Sequence, residues 1–422
     1  MGSGTQAACG GGPSRRRFVG LLGGAAAASA LAACGNEGDS PDAQGTPEAQ
    51  EAREARQGAP KQPSSSASQE PSPSASGSPS GPRPLYLGTY TSAEGGGKGI
   101  GVASYDPASG RITGRGTITG VPDPSYLAVH PNGGTLYAAN ERERGVVTAV
   151  RLSDRKVLGS RATGGTHTCQ VSVHPSGRWL LSADFGSGSV AVHPIEASGA
   201  LGERTDRVVH SRPAPRSGQQ GPHAHQFITS PDGGHVLAVD FGTDTVYSYR
   251  LDGTAGTLTE VAQAHTRSGA GPRHLTFHPG GRYAYLADEA DDTVAVCSYT
   301  PSSGRLTIGK PQSTGSKADP NYPAQLAVTP DGGYAFLANR GDNTLARYAV
   351  EADGARLRLL GTVPVEGDFP RQLALSPDGG LLFAANQRSG TVSVFRVDDA
   401  KGELRLAGEP FASPVAVCAL PL

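Results

Sequence analysis

Charged and titratable side chains occupy two fixed positions of a repeated hairpin in this sequence. The hairpin is an apolar strand, a Pro-x-Gly turn and a second apolar strand, and its six turn prolines are Pro131, Pro175, Pro231, Pro279, Pro330 and Pro377. Six residues before the proline, three copies carry His225, Arg273 and Arg371. Ten residues after it, two copies carry Glu289 and Arg340. The second strand of a hairpin runs back beside the first, so both positions lie at one end, where we expect these side chains to converge.

The residue types at this end could bind and attack an anionic ester. Histidine is the side chain most easily held as a base near neutral pH, and arginine pairs bidentately with phosphate or carboxylate. His223 lies two residues before His225 and would share its side of the strand. Charged residues also line the wet mouth of a channel without any function, and the spacing alone leaves that alternative open. The remaining copies carry Ser125, Cys169 and Ala324 at the first position and Glu141, Phe185, Phe241 and Gln387 at the second.

The other candidate motifs do not support a metal site, a serine nucleophile or a nucleotide site. His223 and His225 have the spacing of metal ligands on a strand, but no third ligand is evident, so we predict no metal and no other cofactor. The acidic stretch 288–292 lacks the glycine-bearing calcium loop and favours a solvated hairpin end. The sequence contains neither a Gly-x-Ser-x-Gly elbow nor a phosphate-binding P-loop.

The cysteines and a recurrent Asn or Asp have structural interpretations. Cys169 has no neighbour that marks it as a nucleophile, and we interpret it as a packed thiol. Cys297 and Cys418 fall in strand patterns and are predicted to be buried, with a disulfide between them left open. The ninth residue after every turn proline is Asn or Asp, which we interpret as a side chain that bonds the local turn. These residues are Asn140, Asp184, Asp240, Asp288, Asn339 and Asn386.

The elements that must position these residues are predicted to be propeller blades. Successive turn prolines are 44 to 56 residues apart, and four short strands in such a period are typical of a β-propeller. Strands predicted at 85–90, 99–105 and 111–118, joined by the C-terminal run 414–420, complete a seventh blade and close the ring. A solenoid would need polar terminal units, whereas these terminal strands are apolar. We therefore predict an all-β fold for residues 85–422, a seven-bladed propeller of four-stranded antiparallel blades.

The first 84 residues are predicted to be an export signal followed by a disordered tether. The sequence Ser-Arg-Arg-Arg-Phe at 14–18, followed by a short apolar run, resembles a twin-arginine export signal. The sequence Leu-Ala-Ala-Cys ending at Cys34 resembles a lipobox, which implies cleavage before Cys34 and lipidation of its thiol; an ordinary secretory signal is the alternative. We predict a signal peptide over 1–33, a disordered Ser/Pro-rich tether over 34–84, and a location on the outer face of the cell membrane through the lipid anchor alone.

Composition limits the class of protein further. The 422 residues include 37 basic and 38 acidic side chains, for a net charge of −1. A nucleic-acid binder normally has a basic excess, so no nucleic-acid partner is predicted. The 60 glycines and 33 prolines disfavour a helical bundle, and five cysteines are too few for a disulfide scaffold. We expect a monomer whose partner is a small molecule.

Several stretches of the repeated region carry a family resemblance. They are LYLGTYT at 85–91, GPHAHQ at 221–226, DFGTDTV at 240–246, GPRHL at 271–275 with ADE at 287–289, and ANRG at 338–341. In these motifs, residues 85–422 resemble the seven-bladed lactonase propellers, a family that includes propeller-type 6-phosphogluconolactonases and a fungal carboxymuconate lactonising enzyme. The resemblance implies a His, Arg, Glu, Arg site, in which His225, Arg273 and Glu289 match the first three members. Arg340 and Arg371 both fit the fourth.

The resemblance implies metal-independent hydrolysis of a sugar lactone or a related anionic lactone. His225 would activate water, Arg273 would stabilise the oxyanion, and Glu289 would orient the histidine or shuttle the proton. Arg340 and Arg371, with His223, would hold the substrate. A lactonising cycloisomerase and a non-catalytic binding propeller remain alternatives. The predicted export favours a lactone other than 6-phosphogluconolactone, which is made in the cytoplasm.

Overall fold

The regular secondary structure of the described residues consists almost entirely of β-strands. The computed structural model describes residues 81–211 and 221–422, which contain 29 strands and one short 3₁₀ turn. The predicted signal peptide, Cys34 and the tether up to residue 80 lie outside these residues. No helix within them is long and apolar enough to cross a membrane.

The strands follow one another in groups of four. The first three are β1 (Arg83–Thr89), β2 (Ile100–Tyr105) and β3 (Ile112–Ile118). Blade 2 contains β4 (Pro124–Val129), β5 (Thr135–Asn140), β6 (Val146–Arg151) and β7 (Lys156–Ala162). Blade 3 contains β8 (Thr168–Val173), β9 (Trp179–Asp184), β10 (Ser189–Pro194) and β11 (Asp206–Val209). Blade 4 contains β12 (Ala224–Thr229), β13 (Val236–Asp240), β14 (Thr245–Leu251) and β15 (Leu258–His265).

The second half of the chain repeats this order and then returns to blade 1. Blade 5 contains β16 (Pro272–Phe277), β17 (Tyr283–Asp288), β18 (Thr293–Thr300) and β19 (Arg305–Ser313). Blade 6 contains β20 (Tyr322–Val328), β21 (Tyr334–Arg340), β22 (Thr344–Glu351), the 3₁₀ turn Ala352–Gly354 and β23 (Arg356–Pro364). Blade 7 contains β24 (Pro370–Leu375), β25 (Leu381–Asn386), β26 (Thr391–Val397), β27 (Leu404–Leu406) and β28 (Phe411–Ala412). The last strand is β29 (Ala416–Pro421).

The ring closes between the two ends of the propeller sequence. Strand β29 pairs antiparallel with β1, from Leu85 opposite Pro421 to Thr89 opposite Ala416, and so supplies the fourth strand of blade 1. The first strands of blades 2 to 7 and β29 contact one another in a closed circle around the axis. Seven antiparallel sheets result, which confirms the predicted seven-bladed propeller and its closure.

Both faces of each blade are apolar because each packs against a neighbour. In β5, Leu136 and Ala138 belong to the core shared with blade 1, whereas Tyr137 and Ala139 belong to the core shared with blade 3. Successive strand residues point to opposite faces, so a strand buried on both sides reads as a continuous apolar run. Burial of each large side chain contributes roughly 1.5–3 kcal/mol, and seven such cores hold the ring together.

Glutamine side chains tie neighbouring inner strands to one another. Gln226 accepts a 2.7 Å hydrogen bond from the backbone N–H of Leu275 in the next blade. Gln372 accepts a 2.8 Å bond from the N–H of Ala419, across the point of closure. These amides satisfy buried backbone groups that would otherwise be unpaired, and they fix the spacing of the inner strands.

The three cysteines of the described residues are free thiols. Cys297 and Cys418 are buried in two different cores and form no disulfide, which settles the pairing left open above. Cys169 is buried, and its Sγ lies 3.4 Å from the carbonyl oxygen of His225. Burial raises the pKa of the Cys169 thiol, so it stays protonated, which confirms its interpretation as a packed thiol.

Candidate active site

A β-bulge marks the same position in the inner strand of every blade that has a turn proline. The pairing with the second strand shifts at Ser125, Cys169, His225, Arg273, Ala324 with Gln325, and Arg371. A bulge leaves one residue outside the ladder and re-aims its side chain. His225, Arg273 and Arg371 are therefore presented from one end of the inner strands, on the position counted six residues before the proline.

The residues counted ten after the proline lie at this same end. The backbone N–H of Glu289 donates a 2.8 Å hydrogen bond to the carbonyl of Gly271, two residues before Arg273. In blade 2 the N–H of Glu141 bonds the carbonyl of Asp123 in the same way, at 3.0 Å. The convergence predicted from the hairpin spacing is therefore present in the fold.

Glu289 binds two arginines from different blades. Its Oε2 atom lies 2.9 Å from Nε of Arg273 and 2.5 Å from Nη2 of Arg340. Both arginine side chains are at most 5% exposed, and Nε of Arg340 also donates to the carbonyl of Tyr322 at 3.1 Å. Burial acts to raise the pKa of Glu289, but the charges of Arg340 and Arg273 outweigh it and lower that pKa. Glu289 is thus ionised near neutral pH and is the counter-charge of both arginines.

His225 is a buried neutral imidazole beside these arginines. Its side chain lies edge-on to Phe185, with ring centroids 5.8 Å apart, and its Nδ1 atom has no hydrogen-bond partner in the described residues. Burial, and after it the charges of Arg273 and Arg371, hold the pKa of His225 well below the usual value. No hydrogen bond or ion pair among the described residues joins Glu289 to His225. The expectation that Glu289 orients this histidine is therefore not met, because the carboxylate is drawn to the arginines instead.

His223 is the histidine that a neighbouring group orients. Its Nδ1 lies 2.8 Å from the carbonyl oxygen of Phe185, and since a carbonyl can only accept, Nδ1 carries a proton. The ring stacks on Phe185 at 4.7 Å, and the backbone N–H donates to Asp240 at 2.9 Å. The sequence predicted His223 as a substrate contact beside His225. It contained no signal for the hydrogen bond between the His223 ring and the Phe185 carbonyl.

Arg371 and Arg340 pair with different carboxylates. Its Nη2 atom lies 3.2 Å from Oε2 of Glu141, and the Tyr90 hydroxyl donates to the same oxygen at 2.7 Å. Arg340 therefore belongs with Glu289, and Arg371 belongs with Glu141 and Tyr90. Sequence reasoning did not single out Tyr90 or Glu141 as site residues. Tyr90 follows the first strand of blade 1, which has no turn proline from which to count, although it lies in the motif at 85–91.

The clustered side chains carry a net positive charge. Three arginines, Arg273, Arg340 and Arg371, face two carboxylates, Glu141 and Glu289. Buried guanidinium groups with one charge in excess favour an anion or an oxyanion that develops during a reaction. Across 81–211 and 221–422, no three His, Cys, Asp or Glu side chains come together as a set that could hold a metal ion.

The recurrent Asn and Asp residues brace the blades around the site. All six are at most 2% exposed. Asp184 accepts a 2.6 Å hydrogen bond from the hydroxyl of Thr168, and Asn386 donates to the hydroxyl of Ser393 at 2.9 Å. Their structural role is confirmed, and Asp240 bonds its local turn by accepting from the N–H groups of Gly242 and Thr243, each at 2.9 Å, whereas the bonds of Asp184 and Asn386 reach other strands. Asp288 is a member of the set. The acidic stretch 288–292 thus begins on a buried residue, so the prediction of a solvated hairpin end was wrong for Asp288.

Fold and site together define a seven-bladed propeller with a buried arginine and carboxylate cluster at one end of its inner strands. Residues 84–421 match the sequence model of the family described as "Lactonase, 7-bladed beta-propeller", and the chain belongs to that family. Family membership classes the protein as a lactone hydrolase, as the resemblance of its motifs predicted.

Individual relatives share the fold or the sequence, and two of them are named as lactonases. A 6-phosphogluconolactonase of Bacillus subtilis (strain 168) is 30% identical over 290 residues, which cover 67% of this chain and 82% of that protein. The periplasmic gluconolactonase of Pseudomonas aeruginosa has a similar structure, with a TM-score of 0.74 and 30% identity over 81% of this chain and 99% of that one. A protein from Lactobacillus plantarum superposes with a TM-score of 0.75 at 31% identity, again over 81% and 99% of the two chains.

Proposed function

We propose that the protein hydrolyses a sugar lactone of the gluconolactone type to the open-chain acid. The observation that carries the proposal is the ion-paired cluster of Glu289, Arg273 and Arg340 beside a neutral His225. The names of two relatives, a 6-phosphogluconolactonase and a periplasmic gluconolactonase, support the same class of substrate.

In the proposed reaction, His225 takes a proton from water while the water oxygen bonds the lactone carbonyl carbon. The carbonyl oxygen becomes an oxyanion, which Arg273 stabilises. The oxyanion then collapses, the bond to the ring oxygen breaks, and the ring oxygen receives the proton, which leaves a hydroxy acid. The positive charges of the arginines beside His225 disfavour the protonated imidazole, so His225 readily passes its proton to the ring oxygen. Glu289 holds Arg273 and Arg340 in position, and Arg371 and His223 contact the substrate.

The test is lactone hydrolysis by the purified protein, with D-glucono-1,5-lactone in a pH-stat and spontaneous hydrolysis subtracted. We expect turnover by the wild type and a loss of about 10²- to 10⁴-fold in kcat for His225→Ala, as for removal of a general base. His130→Ala, at a hairpin turn at the other end of the inner strands, is the control. Equal kcat in His225→Ala and wild type would contradict the role of His225. Affinity without turnover in the wild type would instead favour a binding propeller.

We also propose that the protein acts outside the cytoplasm, anchored by a lipid on Cys34. The twin-arginine and lipobox patterns support this location, and so does the word periplasmic in the name of the Pseudomonas aeruginosa relative. An extracytoplasmic location fits an unphosphorylated sugar lactone better than 6-phosphogluconolactone. Replacement of Cys34 by Ser is expected to move the protein from the membrane fraction to the soluble fraction.

A further inference from the structure

A second carboxylate cluster, formed by Tyr90, Glu141 and Arg371, lies at the same end of the inner strands as Glu289. It joins blades 1, 2 and 7, whereas the Glu289 cluster joins blades 5 and 6. Arg371 is close enough to His225 to contribute to the lowering of its pKa. Because Glu141 and Arg371 lie at the end of the inner strands that carries His225, a substrate bound beside His225 can turn its ring hydroxyl groups toward this second cluster.

The two carboxylate oxygen atoms of Glu141 differ in the number of hydrogen bonds that they accept. Oε2 accepts the Tyr90 hydroxyl at 2.7 Å and Nη2 of Arg371 at 3.2 Å. Oε1 receives only the same Nη2 of Arg371, at 3.5 Å, from the residues the structure describes. A carboxylate offers about four acceptor sites, so Oε1 retains capacity for further donors. The Glu141 side chain is 17% exposed, so it is not sealed inside the protein.

A groove on the protein surface borders Glu141. Its volume is about 650 Å³, and its lining includes Glu141, Ser92, Asp123, Arg142 and His167. Sites for small ligands usually have volumes of this order and a few fixed polar groups that set orientation. Tyr90 and Arg371 hold the carboxylate of Glu141 in place, and the groove borders the same side chain.

We propose that Glu141 determines specificity by accepting hydrogen bonds from the ring hydroxyl groups of the substrate lactone. The inference rests on the proposed lactone hydrolysis and deepens it. Hydrogen bonds from a hydroxyl to a carboxylate are among the stronger ones. A site built to bond a hydroxyl rejects an analogue that lacks it, because its own polar group is then left unpaired. Glu141 thereby selects polyhydroxylated lactones over plain cyclic esters, and Tyr90 is the residue that positions it.

The test compares two lactones of one ring size, D-glucono-1,5-lactone and δ-valerolactone, which has no hydroxyl groups. For Glu141→Gln we expect kcat/KM on gluconolactone to fall about 10- to 100-fold, mainly through a higher KM. A loss of this size corresponds to the loss of one hydrogen bond to a charged group. Hydrolysis of δ-valerolactone should change less than about threefold, within the context-dependence of one contact. Tyr90→Phe should show the same selectivity with a smaller loss. Glu403→Gln, in an exposed ion pair with Arg405 on the outer edge of blade 7, is the matched control.

Two outcomes of this comparison would overturn the inference. An equal loss on both lactones would mean that Glu141 acts on the whole site, and no loss on either would mean that it does not touch the substrate. Thermal unfolding of each variant excludes a folding defect as the cause of a selective loss.

Failure of the proposed hydrolysis is a separate result. If the wild type hydrolyses neither lactone, calorimetric binding of gluconate and 5-hydroxypentanoate replaces the assay. Tighter binding of gluconate that Glu141→Gln abolishes would support the role of Glu141. Equal binding of the two acids, or binding of neither, would overturn it.

Discussion

Two carboxylates in this propeller each bind two arginines, and they differ mainly in where those arginines lie. Glu289 binds Arg273 and Arg340, whose side chains are 3% and 5% exposed. Glu351, at the outer edge of blade 6, binds Arg356 and Arg358, whose side chains are 69% and 57% exposed. The shortest distances match closely, at 2.5 Å for Arg340 and for Arg356.

With ion-pair distances this similar, we attribute the chemical value of the inner cluster to its burial. Both carboxyl groups have a lowered pKa, but water screens the outer pair and leaves its arginines solvated in either state. At the inner site the guanidinium groups have lost their water, so they depend on Glu289 for compensation. The same loss of water strengthens their pull on an oxyanion.

The largest effect is expected when Glu289 is replaced by Gln. Two buried arginines then lose their counter-charge, which costs about 3–5 kcal/mol in the free energy of unfolding. Misplacement of Arg273 should also lower kcat by at least about 100-fold. Urea unfolding and the lactone assay measure the two effects. If stability fell while kcat stayed at the wild-type value, the inner cluster would be structural only.

The sequence was sufficient to predict the ring, because the repeat itself encodes it. Turn prolines and alternating apolar runs give the number of blades, and the apolar run at 414–420 indicates the closure. The positions of His225, Arg273 and Glu289 at one end follow from hairpin register alone. Register is set by the hydrophobic pattern, which a single sequence displays directly.

The partners within the site could not be predicted in this way. Whether Arg340 or Arg371 pairs with Glu289 depends on which side chains reach one another between blades, and hairpin register does not determine that. The β-bulges that turn His225 and Arg273 out of the ladder have no marker in the repeat. The sequence does not predict the hydrogen bond from His223 to a backbone carbonyl either, since this bond depends on the path of the chain rather than on residue type.

Acid should expose a second difference between the inner and the outer cluster. His225 and His274 are buried with pKa values well below normal, in both cases through burial first and Arg273 second. The unfolded chain therefore binds more protons below pH ~6.5, and stability falls as pH drops from there toward the folded-state pKa values. Each histidine contributes up to about 1.4 kcal/mol per pH unit in that window.

Unfolding by urea between pH 7 and pH 5 measures this slope. His225→Asn should reduce it, whereas Glu351→Gln should leave it unchanged because the carboxyl of Glu351 titrates in a lower range. The lowered pKa of Glu289 adds a separate loss only below pH ~4.3, where carboxyl groups of the unfolded chain begin to take up protons. An unaltered slope in His225→Asn would show that this histidine is not held neutral by the site.

The smallest effect is expected for Glu351→Gln itself. Its arginines remain solvated when the carboxylate is lost, so neither the midpoint of urea unfolding nor kcat should change measurably. The residual electrostatic contribution of this outer pair should vanish at 1 M salt, where the screening length is about 3 Å, whereas the loss in Glu289→Gln should persist. The readout is the urea midpoint of both variants at low and high salt. A large, salt-resistant loss in Glu351→Gln would mean that the geometry of a carboxylate between two arginines, rather than its burial, determines the strength of both clusters.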